Sequence, residues 1–270
     1  ELKRIVAGEL VSRSQYTAGL ALLEEALAVI PYREDLQLYL LRMRADNSGN
    51  RDALREALHQ FIQSSRTATI KTQALLLLAS EYSDQKRFDQ QRSVLLEAFR
   101  VAPKTSTKGV LHALAICHRS LKDYRGGRRY LELYGALVQR NSPEYASYLY
   151  NLAILQKNDK DLPAALLSIE QGIILNPESW NLQVIKAGYL CLSGEMEQGL
   201  ALFKTIEQPR GDLAFWNIMQ SWFYAVSKQE SEFYSAFSLA LETAKNPGIL
   251  TWIAQDVALD PYREQDAFKA

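Results

Sequence analysis

Apolar residues recur along the chain at intervals of three and four, as in Leu20, Leu23, Ala26, Leu27 and Ile30. That is the period of one face of an α-helix; a half-buried strand would alternate instead. Short polar clusters interrupt the stripes, among them Ser12-Arg13-Ser14, Asn47-Ser48-Gly49-Asn50, Asn158-Asp159-Lys160 and Ser227-Lys228. Pro163 stands just after such a cluster, near the start of a helix, where its missing N–H costs little. The pattern predicts an all-α chain of helix–turn–helix pieces, and no segment reads as a strand.

The stripes also repeat. Pro31, Pro103 and Pro177 close similar runs and stand 72 and 74 residues apart, two units of about 36 each, within the range of helical repeats. Ahead of Pro177 lie Leu152-Ala153, Ala164-Ala165, Ile169 and Gly172. Leu78-Ala79, Tyr82, Phe88, Leu95 and Ala98 precede Pro103 at corresponding offsets, and Ala7, Leu10, Tyr16, Gly19, Leu23 and Ala26 precede Pro31. In this alternation of small and large positions the chain resembles the tetratricopeptide repeat family. The resemblance implies a right-handed α-solenoid of about seven units, over residues 1–34, 35–68, 70–105, 108–143, 144–179, 180–211 and 212–247. Small residues let the two helices of a unit approach closely, larger ones fill the gaps, and proline ends the second helix. The first, third and fifth units match well; the first helix of the sixth is out of register by about one residue.

Residues 248–270 are expected to form a separate cap. The segment Thr251-Trp252-Ile253-Ala254-Gln255-Asp256, followed by Leu259-Asp260-Pro261, Arg263 and Phe268, is similar to the terminal piece of bacterial arrays of this kind. Trp252, Ile253 and Phe268 would cover the apolar face that a last unit leaves open.

Charge narrows the partners. Lys+Arg and Asp+Glu both number 31, so the neutral total argues against a dedicated nucleic-acid binder. The total sums a basic stretch, Arg119, Lys122, Arg125, Arg128 and Arg129, and an acidic end, Glu230, Glu232, Glu242, Asp256, Asp260, Glu264 and Asp266. The basic stretch reads first as a solvated inter-helix turn. The longest aliphatic run, Ala74 to Ala79, is far short of the ~20 residues of a membrane-spanning helix. The first residue is Glu, as in a fragment or processed chain, and the expected compartment is the cytoplasm, with the envelope as the alternative.

Catalysis has little to stand on. The chain carries neither a His-Glu-x-x-His motif, nor Gly-x-x-x-x-Gly-Lys-Ser/Thr, nor Gly-x-Ser-x-Gly. His112 and His118 are six residues apart, which puts them on different faces of a helix; with His59 they read as packed or solvated residues rather than metal ligands. Cys117 and Cys191 lie in first helices two units apart, beyond disulfide reach, and read as free buried thiols. No metal, cofactor or small-molecule substrate is expected. The late aromatics Phe215, Trp216, Trp222, Phe223, Tyr224, Phe233, Tyr234 and Phe237 are expected mostly in the core.

The family resemblance implies that first helices line a concave groove. Carried over by position, it selects Tyr39; Gln73, Leu76, Leu77 and Ser80; His112, Ala113, Ile116 and Arg119; Tyr150, Asn151, Ile154 and Lys157; and Lys186 and Tyr189. The third unit offers no Lys or Asn among these, so a clamp for a terminal carboxylate is not implied. Aliphatic, tyrosine and amide groups suit an extended or helical protein segment. The expected function is a non-catalytic protein-interaction scaffold. Its alternatives are the regulatory part of a bacterial signalling or transcription regulator, suggested by Pro31-Tyr32-Arg33-Glu34-Asp35-Leu36 with Asn50-Arg51-Asp52-Ala53-Leu54, and an envelope-associated assembly scaffold.

Overall fold

A computed structural model of the protein describes residues 16–211, 213–243 and 259–263. Among them are fourteen helices and no strand. In order they are α1 (Tyr16–Val29), α2 (Glu34–Ser48), α3 (Arg51–Ser64), α4 (Ala68–Asp84), α5 (Phe88–Val101), α6 (Lys104–Ser120) and α7 (Tyr124–Gly135). They continue as α8 (Pro143–Asn158), α9 (Leu162–Leu175), α10 (Trp180–Leu192), α11 (Met196–Lys204), α12 (Leu213–Val226), α13 (Glu230–Thr243) and α14 (Asp260–Arg263). Each even-numbered helix from α2 to α12 opens a hairpin that the next helix completes.

One local device makes every hairpin turn. A single residue adopts the left-handed conformation: Gly49, Lys86, Lys122, Lys160, Gly194 and Lys228, with φ between 57° and 95°. After the last five, the next N–H reaches back to a carbonyl five residues earlier: Arg87 to Tyr82 at 2.9 Å, Asp123 to His118 at 2.9 Å, Asp161 to Gln156 at 2.8 Å, Glu195 to Leu190 at 2.9 Å and Gln229 to Tyr224 at 2.9 Å. This bond satisfies carbonyls that a helix end would otherwise leave orphaned. The residue that donates it then starts the next helix. Asp123 Oδ1 accepts from the Gly126 N–H at 3.0 Å and Asp161 Oδ1 from the Ala164 N–H at 3.3 Å, the usual N-cap arrangement.

Small residues bring the helices together as the pattern predicts. A Cβ on Gly199 of α11 would stand 2.6 Å from the Ala187 carbonyl oxygen of α10 and against Cys191 Sγ. One on Gly188 of α10 would meet the Trp222 ring of α12 at 2.5 Å.

The chain divides into two compact units after Tyr130, inside α7. In the first, Leu23, Ala26, Leu36, Leu40 and Met43 join α1 to α2, and a longer core runs from Ala45 through Leu58, Leu75, Leu95 and Leu114 to Cys117. In the second, one core extends from Ala153 to Tyr262. Trp216, Trp222, Phe223 and Phe233 are buried in it and Phe215, Tyr224, Tyr234 and Phe237 pack against it, so the late aromatics are core. Leu259 and Tyr262 are buried as well; the Tyr262 ring lies 4.4 Å from that of Phe233, and its hydroxyl donates to the Ala225 carbonyl at 3.5 Å. Asp260 pairs with Arg263 at 3.1 Å. Trp252, Ile253 and Phe268, the expected covering residues, lie outside the described residues, as do Ala7 and Leu10.

Candidate functional site

In the first unit the first helices of successive hairpins touch, α2 against α4 and α4 against α6. Between α2 and α4 they leave a cleft of about 470 Å³, lined by Asp35, Leu38, Tyr39 and Arg42 from α2 and by Ile70, Gln73 and Leu77 from α4. The sequence places these side chains together. Residues 35, 38, 39 and 42 form one helical stripe, and 70, 73 and 77 form another. The middle of the cleft is aliphatic, with a phenol and a primary amide as its hydrogen-bonding groups. Asp35 and Arg42 sit two turns apart on α2, about 10 Å along its axis.

Glu34, at the first position of α2, fixes the two walls. Its carboxylate accepts from the N–H of Arg66 at 2.8 Å, from the N–H of Thr67 at 3.1 Å and from the Ser65 hydroxyl at 2.8 Å. These three residues lead into α4, so one side chain ties the start of α2 to the start of α4. The backbone N–H of Arg66, first, and then the Ser65 and Thr67 bonds hold the Glu34 pKa down at about 2 against a desolvation cost. Beside it, Arg33 grips Asp35 with two bonds, 2.8 and 2.7 Å; the Arg33 hydrogen bond leads in holding that carboxyl below its ordinary range.

Of the groove residues expected from sequence, the structure brings Tyr39, Gln73 and Leu77 into this cleft. Ser80 is exposed further along α4, and His112, Ala113, Ile116 and Arg119 are half-buried on α6. In the second unit Tyr150, Asn151, Ile154 and Lys157 are half-buried on α8, and the Asn151 amide donates to the Ser147 carbonyl at 2.9 Å. Two expectations need correction. Tyr189 is 1% exposed and packs edge-on against Trp222 with ring centroids 6.1 Å apart; it is a core residue with no surface to offer a partner. Lys186 pairs with Glu170 of α9 at 2.9 Å and lines a different cleft, between α9, α10 and α11. Asp35, Leu38, Arg42 and Ile70 were missed, although Tyr39, Gln73 and Leu77 share their helical stripes.

The remaining chemistry is quiet. Cys117 and Cys191 are buried and free. Burial pushes the Cys117 thiol up to about 11 and raises Cys191 too, the opposite of what a nucleophilic cysteine needs. His118 is buried, with Nδ1 2.8 Å from Asp123 Oδ2, and His59 Nε2 meets the Tyr82 hydroxyl at 3.0 Å. Among the described residues no three His, Cys, Asp or Glu side chains converge on a metal position, and no helix is long and apolar enough to cross a membrane. In the basic stretch, Lys122 is the left-handed residue of its turn.

Helical hairpins stacked in this way have the tetratricopeptide-repeat fold. A tetratricopeptide repeat protein from Parabacteroides merdae superimposes with a TM-score of 0.67 over 93% of this chain and 95% of its own, at 14% identity. The apo form of RapI does so with a TM-score of 0.61 over 94% and 98%, at 10% identity. The C-terminal part of a repeat-containing protein from Cytophaga hutchinsonii gives 0.57 over 91% and 97%, at 12% identity. No protein-family model and no curated relative matches the sequence. The likeness is one of fold.

Proposed function

We propose that the protein is a non-catalytic interaction scaffold that holds a segment of another protein against its first-helix face, with the α2–α4 cleft as the primary contact. The observation that carries this reading is the meeting of Tyr39, Gln73 and Leu77 in one cleft whose walls Glu34 has already clamped. A site ordered before its partner arrives loses less entropy on association. Aliphatic surface with a few fixed polar groups suits the side chains and backbone of a peptide. The buried, proton-holding thiols fit a binding role better than a chemical one.

The test is selection of peptides from a random display library on the full chain, followed by calorimetry on the Tyr39→Ala/Leu77→Ala double variant and on Tyr150→Ala/Lys157→Ala. Selected peptides are expected to bind the first variant tenfold or more weakly at unchanged helical content. Peptides that keep their affinity for both variants would overturn the assignment of the face.

A further inference from the structure

A row of alternating charges leads away from the Arg42 end of the α2–α4 cleft. Arg42 lines the cleft with its side chain 63% exposed, and among the described residues its one ion pair is with Asp46, Nε to Oδ2 at 3.9 Å. That separation is beyond hydrogen-bond range. Asp46 is better engaged on its other side, where Oδ1 meets Arg51 Nη2 at 3.1 Å. Arg51, the first residue of α3, donates from its other terminal nitrogen, Nη1, to Glu81 Oε1 on α4 at 3.3 Å. Asp46 stands one turn past Arg42 on α2, and Glu81 one turn past Leu77 on α4, so the row joins the two walls of the cleft just beyond its lining.

Glu81 is the member under most strain. It is 6% exposed, and the bond from Arg51 is its one side-chain hydrogen bond among the described residues. Burial, first, and then the carboxylates of Asp84 and Asp46 push its carboxyl above the ordinary range, against the pull of Arg51 and Arg55. A buried carboxylate held by a single long bond gains much from a proton. These opposing charges belong to α2, α3 and α4, and among the described residues α5 and α6 bring Glu81 no ion pair. The other end of the cleft is settled by contrast, since Arg33 already holds Asp35 with two short bonds. The cleft thus offers a guest one under-used charge, the Arg42 guanidinium.

We infer, on the reading that the cleft is the binding site, that the segment held there places an acidic side chain over Arg42, and that this contact is coupled through Asp46 and Arg51 to proton uptake by Glu81. The row can share its charges in two ways. With Glu81 ionised, Arg51 divides itself between Glu81 and Asp46, and Asp46 keeps its hold on Arg42. With Glu81 protonated, Arg51 turns wholly to Asp46, and Arg42 is released to a carboxylate from outside. A guest carboxylate drives the same exchange from the other end: it takes Arg42, leaves Asp46 to Arg51 and weakens the bond that keeps Glu81 ionised. Each event favours the other by the same factor. Affinity for an acidic guest therefore rises as the pH falls through the Glu81 range and is lowest above it.

The coupling is read without a guest by ¹³C titration of the Glu81 carboxyl in the full chain, with Glu81→Gln assigning the resonance. Arg42→Gln should raise the midpoint by about 0.3 pH unit, a twofold change in proton affinity, and should leave it unmoved in an Asp46→Asn background, where the link is cut. A midpoint that Arg42→Gln does not move in the parent chain, or moves equally in both backgrounds, overturns the coupling. The guest is read on amidated synthetic copies of those display-selected peptides that lose affinity for Tyr39→Ala/Leu77→Ala. They should carry an Asp or Glu whose exchange for the amide weakens binding about three- to fivefold, the worth of a partly exposed ion pair, and Arg42→Gln should cost the same without adding to it. Calorimetry at pH 6 in buffers of different ionisation heat should show proton uptake with the parent chain and none with Glu81→Gln. Cleft-dependent peptides that need no acidic residue, or that take up no proton, overturn the inference and leave the cleft reading standing. Peptides indifferent to Tyr39→Ala/Leu77→Ala overturn the cleft reading and the acidic guest with it, while the titration reports separately on the row.

Discussion

Exchanging Gly199 for alanine sets two effects of known sign against each other. Alanine is the better helix former by about 1 kcal/mol. Its Cβ, however, would lie 2.6 Å from the Ala187 carbonyl oxygen and 3.1 Å from the Cys191 nitrogen, both backbone atoms of α10 that no rotamer change can move. Relief requires α11 to draw back by several tenths of an ångström, at a cost of about 1–3 kcal/mol, with further loss of dispersion along the hairpin. The net expectation is a destabilisation of about 1–2 kcal/mol. Gly109 in α6 is the internal control, since a Cβ there meets nothing within 4 Å and Gly109→Ala should stabilise by about 0.5–1 kcal/mol. Urea denaturation followed by tryptophan fluorescence reads the affected region directly, because Trp180, Trp216 and Trp222 lie on α10 and α12. The midpoint should fall for Gly199→Ala, and far-UV circular dichroism should show it rise for Gly109→Ala. A raised midpoint for Gly199→Ala would refute the claim that backbone proximity, rather than mere helix propensity, selects glycine there.

Glu34 has a folded pKa of about 2, below its ordinary value of 4.5, so its contribution is present above pH 4.5 and lost as the pH falls toward 2. Denaturant midpoints should therefore decline over that window, by about 1–2 kcal/mol after discounting for solvent, and Glu34→Gln should start lower and decline less. Cys117 and Cys191 should react with a thiol reagent at neutral pH only as fast as the chain opens, so fast stoichiometric labelling of the folded protein would contradict their burial. Asp123→Ala removes the acceptor for the Gly126 N–H and should cost about 0.5–2 kcal/mol, measured by thermal unfolding; Asp123→Asn should recover part of it.

The helices were legible because their signal is local: a stripe at three and four residues, a polar turn, a proline. The close approaches at Gly188 and Gly199 follow from the same small-residue rule. Part of the cleft lining was legible as well, since Gln73 and Leu77 follow from position within the well-matched third unit, and Tyr39 from its position in the less regular second unit. Lys186 and Tyr189 failed where the register of the sixth unit slips. One residue is a turn of about 100° on a helix, and Gly188 set against Trp222 carries Tyr189 into the core. The Glu34 clamp had no sequence signal, because its partners Ser65, Arg66 and Thr67 are some thirty positions away and are held largely through backbone groups that every residue shares.

The hairpin turns have a consequence for how the chain folds. Each turns on one left-handed residue, and five of the six are closed by a bond reaching five residues back; none needs a distant strand or loop to be in place first. Contacts this local carry a small loop-closure penalty and go with fast folding. In a quasi-one-dimensional array, any such turn can serve as the nucleus from which order spreads to its neighbours. A lesion in one hairpin should then slow propagation through that point while leaving the other turns able to start the process on their own.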